Sequence, residues 1–219
     1  MKPIIIINFK AYKESIGENA VVLAKAAAEV AEKTGVPVSV AVQAADIFRV
    51  KSAANIDVFA QHVDPSEFGA FTGAILPEAA QAAGAVGSLM NHSEKRIEHE
   101  VIGKTVERMK SLGMKSIVCS KDAKESEELA RFQPDFIAYE PPELIGGDIS
   151  VSSAAPEVIE ETVRRVKAVS PSTEVLAGAG VKTKVDIDVA MRLGAVGVLL
   201  ASGVTKSENP KEAILGLIE

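Results

Sequence analysis

Two short apolar runs, Lys115-Ser116-Ile117-Val118-Cys119-Ser120 and Asp135-Phe136-Ile137-Ala138-Tyr139-Glu140, flank a charged helical stretch at 122–132. Neither run alternates regularly between polar and apolar residues, which is typical of strands buried on both faces. Such strands are usually parallel and need a crossover, most often a helix, between them. This part of the chain therefore predicts a strand, a helix and a second strand in an α/β fold.

The same alternation recurs along the whole chain. Eight strands are predicted, at Ile4–Asn8, Pro37–Val42, Asp57–Gln61, Gly87–Asn91, Lys115–Ser120, Asp135–Glu140, Glu174–Gly178 and Gly197–Ala201. Helices are predicted between them, among them Asn19–Lys33, Glu94–Leu112, Asp122–Phe132, Pro156–Val169, Lys184–Leu193 and Pro210–Ile218. Eight strand–helix units without a linker or a second composition regime predict an α/β fold that closes into a (β/α)8 barrel, as one domain over residues 1–219.

Composition narrows the classes of partner. The net charge is −6 and the pI about 5.3, which disfavours nucleic acid and anionic membrane surfaces as partners. The single cysteine, Cys119, has no internal disulfide partner, which fits a reducing compartment. The apolar run after Met1-Lys2-Pro3 is too short for a signal peptide, and no run reaches the length of a membrane span. We therefore expect a cytoplasmic protein.

Polar side chains follow the predicted strands at the ends that converge on one face of a parallel barrel. Asn8 and Lys10 follow the first strand, His92 follows the fourth and Glu140 ends the sixth. Each has an ordinary alternative: Lys10 as a solvated charge, His92 as a residue that starts a helix, and Glu140 as half of an ion pair. Their coincidence at strand ends indicates a catalytic site.

Two turns of small residues follow the last two strands. Gly178-Ala179-Gly180 follows the seventh strand, and Ala201-Ser202-Gly203 follows the eighth. Small residues let backbone N–H groups approach an anion, and these loops commonly bind phosphate in this architecture. The glycines also suit a tight turn alone. The first turn lacks the third glycine of a dinucleotide fingerprint, so a dinucleotide is not expected.

The segment after Glu140 predicts a lid. Pro141-Pro142 is stiff and Gly146-Gly147 is permissive, so a rigid piece lies between two bending points with a base at its root. The longest irregular stretch after a strand is Gln61–Pro77, and loops of this length are often functional.

Metal and cofactor chemistry has little support. The three histidines, His62, His92 and His99, form no His-x-x-x-His pair, and no Cys–His cluster exists. His99 lies in a charged stretch and is expected to be solvated. No Gly-x-Ser-x-Gly motif indicates a serine nucleophile. We expect neither a metal nor a cofactor.

Taken together, these motifs resemble those of the triosephosphate isomerase family. The resemblance is carried in chain order by Asn8-Phe9-Lys10, Ala70-Phe71-Thr72-Gly73, Asn91-His92-Ser93-Glu94-Lys95-Arg96, Tyr139-Glu140-Pro141 with Ile145-Gly146, Gly178–Val181 and Ala201-Ser202. The short length and the Pro-Pro-Glu-Leu-Ile-Gly lid look like the archaeal branch. The hinge here reads Gly146-Gly147-Asp148, where the family usually has Gly-Thr-Gly, and this leaves the stiffness of the lid open.

The resemblance implies a TIM barrel that interconverts dihydroxyacetone phosphate and D-glyceraldehyde 3-phosphate through an enediolate, in glycolysis and gluconeogenesis. It implies that Glu140 transfers the proton, that His92 donates to the carbonyl oxygen as a neutral imidazole, and that Lys10 and Asn8 stabilise and orient the substrate. A position of His92 near the start of the fourth helix would favour the neutral ring. The implied phosphate contacts are backbone N–H groups of Ile145, Gly146, Gly180, Ala201 and Ser202.

The resemblance also implies a partner of the same kind. The segment 70–73 resembles an interface loop, and archaeal members form tetramers, so a homotetramer built from dimers is expected.

Two other functions stay open at this point. A Schiff-base aldolase would need a lysine inside the barrel, but the sixth strand ends in Glu140 and the seventh, Glu174–Gly178, contains none. A catalytically silent barrel used as a binding scaffold would not need His92, Glu140 and Lys10 together.

Overall fold

Eight parallel strands follow one another around a closed barrel, and the last pairs with the first. The computed structural model describes residues 1–141 and 156–219. The strands are β1 (Ile4–Asn8), β2 (Val38–Val42), β3 (Asp57–Ala60), β4 (Gly87–Met90), β5 (Lys115–Ser120), β6 (Phe136–Tyr139), β7 (Glu174–Gly178) and β8 (Gly197–Leu200). The predicted closed barrel is confirmed, and β1, β5 and β7 have the predicted bounds.

Helices alternate with the strands. Within the described residues they are α1 (Glu18–Thr34), α2 (Ile47–Ala53), α3 (Pro77–Ala82), α4 (His99–Ser111), α5 (Ala123–Ala130), α6 (Pro156–Val169), α7 (Lys184–Arg192), α8 (Ser202–Thr205) and α9 (Pro210–Leu215). Two 3-10 turns lie at Lys13–Ser15 and Ala44–Asp46. The sequence did not predict α2, α3 and α8, because helices of two turns or fewer present too little periodicity.

Two layers of apolar side chains form the core. Inside the barrel lies a small cluster with a residue from every strand, namely Ile6, Ala41, Phe59, Leu89, Ile117, Cys119, Ala138, Leu176 and Leu199. A larger cluster fills the space between the strands and the helices. The strands are buried on both faces, which explains why their sequences are apolar almost without alternation.

The predicted start of the fourth helix is wrong. The sequence pattern placed it at Glu94, but α4 begins at His99. The intervening segment is a turn that Asn91 holds: Asn91 adopts a positive φ of 58° and its Oδ1 accepts from the Ile97 N–H at 3.2 Å. Asparagine tolerates this left-handed conformation, which would be costly for most side chains.

The predicted lid falls outside the described residues. This applies to Ile145 and Gly146 and to the hinge residues Gly147 and Asp148.

Candidate functional site

The carboxyl ends of the strands bring the predicted catalytic residues to one end of the barrel, here called the mouth. Asn8 ends β1, and His92 and Glu140 follow β4 and β6 by two and one residues. All three are buried, with exposed fractions of 5%, 7% and 7%. Burying polar side chains costs free energy. Their presence at the open end of a barrel, where active sites of this fold lie, therefore indicates a function.

A continuous chain of contacts joins Lys10 to Glu140. The Lys10 Nζ lies 2.8 Å from Glu94 Oε1, and the Glu94 backbone N–H donates to His92 Nδ1 at 3.1 Å. The His92 Nε2 then lies 3.6 Å from Glu140 Oε2. The lysine and the carboxylate line one cavity at the mouth, and the lysine and the histidine line a second one.

The hydrogen bond at His92 Nδ1 assigns the tautomer of the ring. Because Nδ1 accepts from the Glu94 N–H, it carries a lone pair, and a neutral ring must then hold its proton on Nε2. That nitrogen is buried and has no hydrogen-bond partner among the described residues. The ring is thus poised to donate to a bound oxygen. The backbone turn after β4 supplies this arrangement, because α4 begins only at His99.

Glu140 is held between β5 and β7. Its backbone N–H donates to Ser120 O at 2.8 Å, and its Oε2 is buried without a hydrogen-bond partner within the described part of the chain. A Cβ placed on Gly178 would overlap the Glu140 Cγ and lie 3.1 Å from its Cδ. Gly178 has no positive φ, whereas its neighbours Ala179 and Gly180 do, at 66° and 69°. Gly178 is therefore needed for the space that Glu140 occupies, and the turn itself is made by the two residues after it.

Cys119 lies beneath Glu140 in the barrel. The thiol is fully buried, and this burial raises the pKa of Cys119 well above its usual range. The negative charge of Glu140 and the hydrogen bond between the two side chains act in the same direction. The thiol is consequently neutral and unsuited to nucleophilic chemistry. This contact could not be predicted from the sequence, in which Cys119 is marked only by its position one residue from the end of β5.

The two predicted phosphate turns lie side by side. One cavity is lined by Ala179, Gly180 and Val181 after β7 and by Ala201, Ser202 and Gly203 after β8, together with Asn8, Lys10 and Glu140. The first N–H groups of a helix have no partner within it, and α8 begins at Ser202. Backbone donors and a lysine thus border the same space as the carboxylate.

A second cavity of about 460 Å³ adjoins the first at Asn8 and Lys10. Its lining includes Gln61, His62 and His92. It lies beside the loop between β3 and α3, whose base is closed by bonds from Asp64 N to Ile75 O at 2.8 Å and from Ile75 N to Asp64 Oδ2 at 2.7 Å.

The contacts that close the loop lower the pKa of the Asp64 carboxyl. Burial alone would raise the pKa of Asp64, but the Ile75 N–H and the His62 ring, 3.0 Å away, outweigh it and lower that pKa. Farther along the loop, Phe68 and Phe71 are 75% and 51% exposed. The loop is therefore anchored at its base and apolar at its tip.

Three of the four non-glycine residues with positive φ in the described structure lie at the mouth. They are Lys10, Asn91 and Ala179, and the fourth is Gln133. Such conformations cost free energy and cluster where the surroundings hold a functional arrangement.

The remaining histidines stand apart from this chemistry. His62 pairs with Asp64, and His99 lies 3.6 Å from Glu125 and 3.9 Å from Glu128 at the surface. Across residues 1–141 and 156–219, no group of three His, Cys, Asp or Glu side chains is arranged to hold a metal ion. In the same residues, no helix has the length and apolar character needed to cross a bilayer.

Comparison with known proteins agrees with this geometry. The family model described as triosephosphate isomerase matches residues 3–218. The triosephosphate isomerase of Methanothermus fervidus is 50% identical over 217 residues, covering 99% of this chain and 98% of that protein. Those of Methanobacterium bryantii and Methanocaldococcus jannaschii are 48% and 46% identical over 216 residues, covering 99% of this chain and 96% and 99% of theirs.

The match covers nearly all of this chain and of each relative. It includes every strand of the barrel and every described residue of the candidate site. The chain belongs to the triosephosphate isomerase family and is similar to its short archaeal members.

Proposed function

We propose that Glu140, His92, Lys10 and Asn8 carry out the reaction of the family, the interconversion of dihydroxyacetone phosphate and D-glyceraldehyde 3-phosphate. The observation that supports this most is the 3.6 Å approach of two buried polar atoms, His92 Nε2 and Glu140 Oε2, neither of which has a hydrogen-bond partner among the described residues. A carboxylate and an imidazole N–H that face one space suit a carbon acid and its carbonyl oxygen.

Glu140 transfers the proton. The carboxylate removes a proton from the carbon next to the substrate carbonyl and returns it to the other carbon. The carbonyl makes that proton acidic, so we expect no cofactor or metal. This pairing of a glutamate base with a neutral histidine is a known pattern of this enzyme class.

His92, Lys10 and Asn8 together accommodate the negative charge that develops on the substrate. The His92 Nε2–H donates to the oxygen as it becomes an enediolate, and the Lys10 ammonium stabilises the same charge. The Asn8 side chain orients the carbonyl. Backbone N–H groups of Gly180, Ala201 and Ser202 hold the phosphate, together with Ile145 and Gly146 of the lid.

We propose a homotetramer assembled from dimers, which the resemblance of segment 70–73 to an interface loop supports. The exposed Phe71 on the 61–77 loop and the cavity of about 460 Å³ next to that loop support a dimer in which each loop tip enters the cavity of the other copy. We also propose that residues 1–219 are a single domain and that the protein acts in the cytoplasm, in glycolysis and gluconeogenesis.

The test is a coupled isomerase assay in both directions, combined with NMR of the product formed in deuterated water. Proton transfer through a carboxylate predicts deuterium on the newly protonated carbon, because the base exchanges with solvent. An inactive protein would reject the assignment. An active protein whose product never contains solvent deuterium would reject the exchange-competent base.

A further inference from the structure

Lys10 has an unusual backbone for a residue that carries a charge into the site. Its φ is 52°, in the left-handed region that side chains other than glycine and asparagine rarely adopt. A residue in this region stays there only when its surroundings hold it.

The side-chain amide of Gln61 is the group that reaches Lys10. Its Nε2 lies 2.9 Å from Lys10 O, 3.2 Å from Ala41 O and 3.3 Å from Asn8 Oδ1. A carboxamide nitrogen has two hydrogens, so these three acceptors share them. One amide thereby ties the ends of β1 and β2 together.

The position of Gln61 itself is fixed by the sheet. Gln61 follows β3 directly, and its backbone N–H donates to Val42 O at 3.1 Å. The side chain therefore extends from β3 past β2 to β1, and it starts from a backbone that the barrel holds in place.

The same contact orients Asn8. Its Oδ1 accepts from the Lys10 N–H at 3.0 Å as well as from Gln61. Two donors on one atom identify that atom as the carbonyl oxygen of the amide, so the Asn8 Nδ2 turns the other way. Asn8 and Lys10 both line the two cavities at the mouth.

We propose that Gln61 is a positioning residue that holds the strained Lys10 backbone and the Asn8 amide in the reactive arrangement. This role of Gln61 rests on the proposed function, because Gln61 itself takes no part in the chemistry. Gln61 acts through Lys10 and Asn8, because its amide nitrogen is already engaged by protein oxygens.

The test replaces the amide and measures kcat and KM separately. Gln61→Met keeps the length of the side chain and removes the donors. Gln61→Glu keeps its shape and, when ionised, also lacks a donor. The matched control is Gln81→Met, because Gln81 on α3 likewise donates from Nε2 to a backbone oxygen, Leu112 O, at 2.9 Å.

We expect Gln61→Met to lower kcat/KM on the order of 100-fold, through both a higher KM and a lower kcat, because displacing a charged group by about an ångström has an effect of this size. The activity of Gln61→Glu relative to wild type should rise as the pH falls, since a protonated carboxyl regains one donor. Gln81→Met should keep wild-type constants. Thermal unfolding confirms that each variant is folded at the assay temperature.

Three results would overturn the inference: a kcat/KM of Gln61→Met within twofold of wild type, a loss equal to that of Gln81→Met, or a loss accounted for by the unfolded fraction. If Gln61→Met does not fold, the same comparison is made with Gln61→Glu. An inactive wild-type protein would instead reject the proposed function, so the two failures are distinguishable.

Discussion

The Glu140 side chain occupies space that is free only because residue 178 is glycine and has no Cβ. The backbone φ of Gly178 suits any residue, so the glycine is needed for the space above it. We expect Gly178→Ala to leave the barrel folded and to lower kcat on the order of 100-fold, because the new Cβ displaces Glu140. Steady-state kinetics and thermal unfolding measure the two effects.

The matched control for this change is Gly216→Ala. A Cβ at Gly216 would make ordinary contacts, 3.4 Å and 3.8 Å from backbone oxygens of α9. Wild-type kcat in Gly178→Ala would show that Glu140 does not need the space that the structure reserves for it.

The Cys119 thiol gives a pH-dependent prediction at the same scale. Its pKa is raised in the folded protein, whereas an unfolded thiol ionises near the ordinary value of 9.0. The stability from keeping the neutral thiol is therefore fully present below that pH and is lost as the pH rises above it. At pH 8 a thiolate-selective reagent should modify the folded protein at least about 100-fold more slowly than the urea-unfolded chain. Equal rates would contradict the buried, neutral thiol.

At the scale of the elements, the sequence predicted the barrel more completely than the site. The apolar runs ended where polar side chains began, so Asn8, Lys10, His92 and Glu140 could be found as strand ends. The role of Gly178 could not be found this way. It depends on the register of β6 with β7, in which Tyr139 pairs with Ala177 and the next residues, Glu140 and Gly178, become neighbours.

The local geometry of His92 was also beyond the sequence. A helical pattern from Glu94 onwards could not reveal that Asn91 would turn left-handed and delay α4 to His99. The group that orients the ring is the Glu94 backbone N–H, which donates to His92 Nδ1.

The loop between β3 and α3 carries a prediction about its anchor. Because the pKa of Asp64 is lowered on folding, its contribution to stability is present above the ordinary value of 3.8 and is lost as the pH falls through the folded value. Asp64→Asn should lower the free energy of unfolding at pH 7 by about 0.5 kcal/mol, a typical size for an ion pair near the protein surface. The difference from wild type in urea unfolding should shrink below pH 3.8.

Asp188→Asn provides the comparison for the loop. Asp188 pairs with Lys184 at 3.3 Å on the exposed surface of α7. A wild-type minus variant difference for Asp64→Asn that stays constant with pH would contradict the proposed anchor.

At the scale of the whole molecule, the loop tip is where self-association would be disrupted. Phe71 is 51% exposed, and a charge at its position could not enter an apolar contact in another copy. Phe71→Asp should therefore reduce the mass measured by sedimentation equilibrium relative to wild type. Val185→Asp, a change at a 67% exposed apolar residue on α7, should not. Equal masses for Phe71→Asp and wild type would contradict a dimer built on this loop.

A lysine lies at the mouth although the protein as a whole is acidic. The net charge is −6, yet Lys10 is 10% exposed at the mouth beside two turns rich in backbone N–H groups. A lysine and backbone N–H donors at the mouth of an acidic protein suit a small phosphorylated substrate, while the net charge disfavours nucleic acid.

The most direct test of the central claim is the kcat of Glu140→Asp. The substitution keeps the charge and draws the carboxylate back by one methylene, about an ångström, so the base no longer reaches the carbon-bound proton. We predict that kcat falls by roughly 100-fold or more while the thermal transition is unchanged. A near-normal kcat in this variant would contradict the assignment of Glu140 as the base.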